Sequence, residues 1–401
     1  MVTTSTGLVA DCVARYATRL HGAAGDRHHV ASPLGAWLLL ALAAPASTGQ
    51  DRQTLTDVLG CDVDAAARAA ADLLADPHPL VAAAAAIWTA RDYTGTAGFQ
   101  KWLAGLPAPV TTGDLPGQAG LDGWAREHTF GLIDRFPVDT ERAFLVLATA
   151  LATKVSWQLP FDVAPASSLG SDSSWAGRLN HVLRTPVRPG ARGHAQFITA
   201  GPDGGDVIVH AATAVGGLLV VSVCAVPAVR AERVLALAHD LGSRLATGNR
   251  VERRNLADLP LGEGALWVLQ EVTAEADWCS AVLPAWSASS HLDLTDPALG
   301  FLAAKRALVP GPDPWEATQA AMARYSRTGF EAAAVTGFAV AVAARIPAQH
   351  RHAELRFGHP YAVVALVQDA GSPWHGLPVF SAWVSEPEDA SDDELAPIAP
   401  L

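Results

Sequence analysis

Lysine is almost missing from this chain. Only Lys101, Lys154 and Lys305 occur in 401 residues, and the formal net charge is −12. Such a surface cannot track a phosphate backbone, so nucleic acid is not an expected partner. Cysteine is nearly as scarce: Cys12, Cys61, Cys224 and Cys279 stand far apart with no Cys-x-x-Cys pair. That argues against a disulfide framework or a zinc site and makes them small core residues. No apolar run reaches the roughly 17–25 residues of a membrane-crossing helix. Ala36 to Ala44 is too short, and so are the thirteen uncharged residues that follow Glu331, so no membrane partner is expected. The N-terminus lacks the cationic start, apolar block and small-residue cleavage site of a secretory signal; the cytoplasm is the default expectation.

Catalytic signatures are missing as well. There is no Gly-x-Ser-x-Gly elbow, His-Glu-x-x-His helix, Gly-x-x-x-x-Gly-Lys loop or Gly-x-Gly-x-x-Gly turn. The two dense histidine groups, His28-His29 and His350-Arg351-His352, have no carboxylate or thiol at metal-ligand spacing and read as solvated loops. No catalytic residue, metal or cofactor is therefore expected, and the chain does not read as an enzyme. A triad scattered along the chain stays open, because triads are set by geometry rather than order.

What the chain has is apolar bulk, half of its residues, arranged in two textures. The length alone suggests two or three domains, a soft prior. The first 160 residues read as mostly helical. Leu8, Cys12, Tyr16 and Leu20 share one stripe, Ser32 and Pro33 cap and open a buried helix, and amphipathic stretches lie near 51–59, 64–75 and 118–136. After a Gly/Pro/Ser-rich stretch at 161–206, β-like runs follow at 206–210, 218–223, 266–272, 361–367 and 379–384, interrupted by a helix at 230–246. Helices first and strands later indicate an α+β protein rather than alternating βαβ units. The acidic end, residues 387–401, buries little and reads as a disordered tail.

Particular residues then carry a resemblance. Ala150, Lys154, Trp157, Pro160 and Phe161 stand in register with the serpin motif Asn-Ala-x-x-Phe-Lys-Gly-x-Trp-x-x-Pro-Phe. Leu121-Asp122-Gly123-Trp124 with Thr129, Gly131 and Ile133 is similar to a serpin helix and its exit. Ser32-Pro33 with Leu55, Leu59 and Gly60 resembles an earlier one. Leu283-Pro284-Ala285-Trp286 with Leu294, Leu299 and Gly300, then His359-Pro360-Tyr361 and Phe380-Ser381-Ala382-Trp383-Val384, match later elements in order. The resemblance implies a single serpin-like domain over 1–386. Its helices would gather in the N-terminal part around a large central mixed sheet, with smaller sheets and an exposed reactive-centre loop. Ala143 to Lys154 is alanine-rich enough for a helix, yet the resemblance requires a central strand there, and tertiary context overrides propensity in such short runs.

The resemblance also implies a function: a monomeric suicide-substrate inhibitor of serine proteases, in which the cut loop inserts as a strand into the central sheet. Gly329, Phe330, Glu331, Ala332, Ala333, Ala334, Val335 and Thr336 look like its hinge. Strand alternation puts Phe330, Ala332, Ala334, Thr336, Phe338, Val340 and Val342 on one face. Burying that face is worth on the order of 10 kcal/mol as an upper estimate. Counting the family's usual loop length from Gly329 places the reactive bond at Ala343–Ala344, suited to an elastase- or subtilisin-like enzyme. The stretch up to Pro360 is longer than usual, so Arg345–Ile346, suited to a trypsin-like enzyme, is the alternative. Family members are often extracellular, which keeps that compartment open. Phe330 stands where a small residue is usual, Arg327 where Glu is common, and Gln319 where a buried His is common. Overfilling by Phe330 would cost about 1–3 kcal/mol on insertion, and these departures carry the alternative of a non-inhibitory serpin-fold binding protein.

Overall fold

The computed structural model describes residues 3–138, 143–186, 193–311, 315–330 and 348–390. Among them are eight helices: α1 (Thr3–Ala24), α2 (Pro33–Ala43), α3 (Gly49–Leu59), α4 (Val63–Ala75), α5 (Ala97–Ala104), α6 (Gln118–His128), α7 (Ala231–Ala246) and α8 (Phe301–Leu308). The strands up to the middle of the chain are β1 (His29–Ala31), β2 (Val81–Thr89), β3 (Thr111–Asp114), β4 (Leu145–Thr153), β5 (Val155–Ser156), β6 (Asp162–Pro165), β7 (His181–Arg184), β8 (His194–Ala200), β9 (Asp206–Thr213) and β10 (Leu218–Cys224). Beyond it run β11 (Gly262–Glu263), β12 (Trp267–Ala274), β13 (Trp278–Leu283), β14 (Trp286–Asp293), β15 (Thr318–Tyr325), β16 (Gly329–Phe330), β17 (Ala348–Arg356), β18 (Tyr361–Val367) and β19 (Pro378–Val384). None of the described helices is long and apolar enough to cross a membrane.

The α2 helix shows why the core forms where it does. Ser32 Oγ accepts from Gly35 N (3.2 Å), Pro33 occupies the first turn where its missing N–H costs nothing, and every residue but Leu39 is buried. An apolar helix of this kind must be surrounded. Around it close α1, α8 and the sheets, with Trp37 and Tyr16 fully buried and the Tyr16 hydroxyl donating to Leu299 O (3.3 Å). A second core lies between α7 and the sheet ordered β1-β19-β18-β10-β9-β8, and a third beneath α6, against β2 and β4. Another six-stranded sheet runs β11-β12-β17-β13-β7-β6.

Several expectations change. Residues 81–89, within a region read as helical, form β2, whose alanines pair with β4 over nine positions from Val81↔Thr153 to Thr89↔Leu145. Within Ala143 to Lys154 the chain forms the strand β4, Leu145–Thr153, as the resemblance required. His29 and His352 are not loop residues: each is buried in a strand, His29 bonded to His21 of α1 and to Arg27 O, and His352 to Ser280 of the neighbouring β13. Residues 388 and 389, expected within a disordered tail, are bonded to the body of the protein. Glu388 N donates to Ala285 O (2.8 Å), and the Asp389 carboxylate accepts from the backbone N–H groups of Asn180 and His181 (3.1 and 2.7 Å), so this stretch is docked. Residues 391–401 lie outside the described part.

Candidate functional site: a gap between central strands

β14 and β15 form an antiparallel pair over eight positions, Trp286↔Tyr325 to Asp293↔Thr318. On the other side stands the three-stranded unit β3-β2-β4. Among the described residues β15 and β4 share no ladder. Among the described residues β16 and β5 bridge the two halves, with Phe330 paired to both Tyr325 and Val155, and Gly329 to Ser156. Beyond Phe330 the halves diverge. A cavity of about 90 Å³ lies between Leu147–Leu151 and Thr318–Ala320, roofed by Trp124 and Ala125 of α6 and floored by Ala36 and Leu39 of α2. Farther along, between Leu145 and Trp315, it opens into one of about 370 Å³.

Each rim is fastened to the same helix turn. Gln319 of β15 binds Ser32 twice: its Oε1 accepts from Ser32 N (2.9 Å) and its Nε2 donates to Ser32 O (2.8 Å). Thr149 of β4 donates to Gly35 O (2.8 Å). Ser32 Oγ donates in turn to Val379 O (2.9 Å), tying the turn to β19. Both rims are thus anchored to α2 through side chains, while their facing backbone edges have no ladder with one another among the described residues. Odd-numbered residues of both rims, Thr149, Leu151, Val155, Gln319, Ala321, Ala323 and Tyr325, face this core, whereas Val146 and Ala148 face α6.

The closed end is built from aromatic rings. Trp157 Nε1 donates to Ser326 O (3.0 Å) and Trp157 N to Thr328 O (3.0 Å), fixing the turn that leads from β15 into β16. Arg327 Nε donates to Phe161 O (3.0 Å), so the residue found in place of the usual Glu serves the same turn. Trp157, Phe161, Tyr325 and Trp286 pack stacked, tilted or edge-on at 5.0–6.2 Å, and Phe330 meets Trp286 edge-on at 6.4 Å. Behind them His194 and His210 share a 3.0 Å hydrogen bond; burial lowers both, His194 to about 4, so both stay neutral.

Of the hinge residues singled out from sequence, Gly329 and Phe330 lie inside the sheet. Phe330 is 3% exposed, so the overfilling expected of it on insertion does not apply: its pocket is already formed and filled. Glu331, Ala332, Ala333, Ala334, Val335 and Thr336 fall outside the described residues, as do both candidate bonds, Ala343–Ala344 and Arg345–Ile346. The rim residues Thr149 and Val155 were not singled out; their only sequence signal was the β-branched Thr and Val in an alanine-rich run. A Ser–His pair, Ser280 Oγ to His352 Nε2 at 2.9 Å, does occur, yet Ser280 is only 2% exposed and closed to substrate.

No family model and no curated protein matches the sequence. Solved structures do. The chain superposes on the thermophilic serpin tengpin in its native state with a TM-score of 0.65 at 13% identity, covering 95% of this chain and 94% of that one. For a serpin from the trematode Schistosoma haematobium the values are 0.59, 14%, 96% and 100%. For human thyroxine-binding globulin, a complex with thyroxine, they are 0.64, 13%, 96% and 99%. Likeness of this extent at such low identity establishes the serpin fold.

Proposed function

We propose that this serpin-fold chain is an inhibitor of serine endopeptidases, attacked as a substrate and then armed by inserting its cut strand between β4 and β15. One observation carries the reading: two central strands stand apart, and a two-residue strand has already started down the gap between them. Antiparallel pairing moves one residue back for each residue forward. From Phe330↔Val155 and Phe330↔Tyr325, the register would set Ala334 between Leu151 and Ala321, Thr336 between Thr149 and Gln319, and Val340 beside Leu145, where β4 begins. The face expected to be buried is then the one turned to the α2 core, and small residues fall opposite α6. The downstream side is anchored separately, since β17 is paired to both β12 and β13. Scission of the intervening segment would free only the upstream strand.

In this reading the chain acts as a monomer, needs no cofactor and is the object of catalysis rather than its agent. Its partner is an elastase- or subtilisin-like protease if the bond is Ala343–Ala344, and a trypsin-like one if it is Arg345–Ile346. Incubation with a panel of all three types, followed by denaturing electrophoresis and mass mapping of the released peptide, tests it. The expected results are a covalent complex that survives SDS with one enzyme type and a large rise in melting temperature after cleavage. Cleavage by every enzyme with neither complex nor rise would overturn it.

A second reading, a serpin-fold binding protein, draws support from Phe330, whose entry into the sheet is complete before any cut. Thyroxine-binding globulin, complexed with thyroxine, shares the fold. A rise in melting temperature on cleavage without any covalent complex would favour it.

A further inference from the structure

At the open end of the gap the core has more apolar surface than partners for it. Six side chains around the cavity of about 370 Å³, Leu39, Leu145, Leu147, Val309, Trp315 and Ala317, are only partly buried. Leu39 is the one residue of α2 that is not buried, and it lines this space. In a close-packed interior each of these would be covered. An apolar cavity of this kind stays dry and accepts apolar molecules, and its volume falls in the range of small-molecule sites.

Charge singles out what the ligand carries at its head. Among the described lining residues only Lys305 of α8 and Glu316 are charged. Glu316 is exposed, so water already satisfies it. Lys305 is half-buried. Its ammonium donates to Gly311 O (2.5 Å) and joins no ion pair among the described residues, whereas the adjacent Arg306 pairs with Asp51 (2.5 Å). Two of the three Lys305 N–H donors remain for an anion beside an apolar space.

We propose that this cavity binds a medium-chain alkyl carboxylate, with the chain lying between Leu145–Leu147 of β4 and Trp315–Ala317, and the carboxylate accepting from Lys305. Binding itself needs only the intact protein. Its consequence rests on the strand insertion proposed above: in that register Phe338 would come beside Leu147 and Val340 beside Leu145, both in the cavity wall. A bound chain stands where the far end of the cut strand has to lie, so the ligand opposes insertion and favours simple cleavage.

The test is calorimetric titration of the intact full-length protein at pH 7.5 with hexanoate, octanoate and decanoate, each below its micelle concentration. One site is expected, tightening about fourfold for each added CH₂. Lys305→Met should weaken decanoate about tenfold or more and leave the neutral decanol unchanged. Lys305→Glu should bind decylamine in preference to decanoate. The proposal fails if decanoate does not bind, if Lys305→Met binds it as the parent does, if the parent prefers decylamine, or if affinity is indifferent to chain length. A second arm cleaves the loop with and without saturating decanoate and compares melting. A rise in melting temperature that decanoate diminishes is expected; an undiminished rise would remove the opposition to insertion. Absence of any rise without ligand would count against the insertion reading alone, since the titration stands independently of it.

Discussion

Gln319 grips Ser32 with both ends of its side-chain amide, taking a hydrogen bond from the Ser32 N–H and giving one to its carbonyl. The contact joins strand β15 to the first turn of α2, and Thr149 reaches Gly35 in that same turn from the opposite strand. Each of the two strands is thereby fastened to the helix beneath them, through a side chain, at the place where they stand apart.

Removing the Gln319 amide strands the Ser32 N–H, while Ser32 O keeps only its bond from Ala36 N. Gln319→Ala should lower unfolding free energy by about 1–3 kcal/mol. Denaturant titration of the uncut protein measures it, and a loss below a few tenths of a kcal/mol would show that water replaces the amide without penalty.

Phe330 is packed before any cleavage, and in the register proposed it keeps the same place afterwards. Phe330→Ala should therefore cost about 3–5 kcal/mol in the intact and the cut protein alike. Melting both forms checks it. A cost confined to the cut form would mean that the ring is seated only on insertion.

Ala334 would sit between Leu151 and Ala321, facing the α2 core. Ala334→Arg places an unpaired charge there, and burying one without a partner costs several kcal/mol. The intact variant should melt as the parent does, be cleaved at the parental rate, show no rise in melting temperature after the cut, and form no complex. Retained complex formation would contradict the proposed insertion.

Acid should weaken the fold. Burial lowers His194 and His239 to about 4, and His21, His29 and His210 are lowered for the same main reason. In the unfolded chain these rings take up protons near 6.5. Between about pH 6.5 and 4 the unfolded state binds more protons, so stability is complete above that window and is lost as the pH falls through it. For His239 alone the loss is on the order of 3 kcal/mol below about pH 4. Urea titrations from pH 7.5 to 4.5 should show a steady fall, made shallower by His239→Leu; a flat profile would mean the rings reach water in the folded state.

Much of the fold was visible in residue order. β18 was expected at 361–367 and is found there, and the helix expected at 230–246 is α7, Ala231–Ala246. Those segments are long, strongly patterned and bounded by turn residues. β2 escaped notice because Val81 to Ile87 is nearly all alanine, a residue that a helix accepts readily. It is a strand because β4 lies along it for nine positions, information no local window contains. The turn fixed by Arg327 was hidden for the same reason, since it depends on chain segments far apart in sequence.

The sequence by itself determined which segments could be strand or helix, that the chain is net acidic with three lysines, and that one face of the segment after Gly329 is apolar. Only the tertiary structure decided that β4 and β15 stand apart, that Phe330 is already housed between their ends, and that Gln319 and Thr149 hold the rims to α2. Local pattern is set by side-chain periodicity, which sequence carries directly. A gap is a relation between two strands 165 or more positions apart, and each of these strands is tied through a side chain to a third element, α2, which no local window contains.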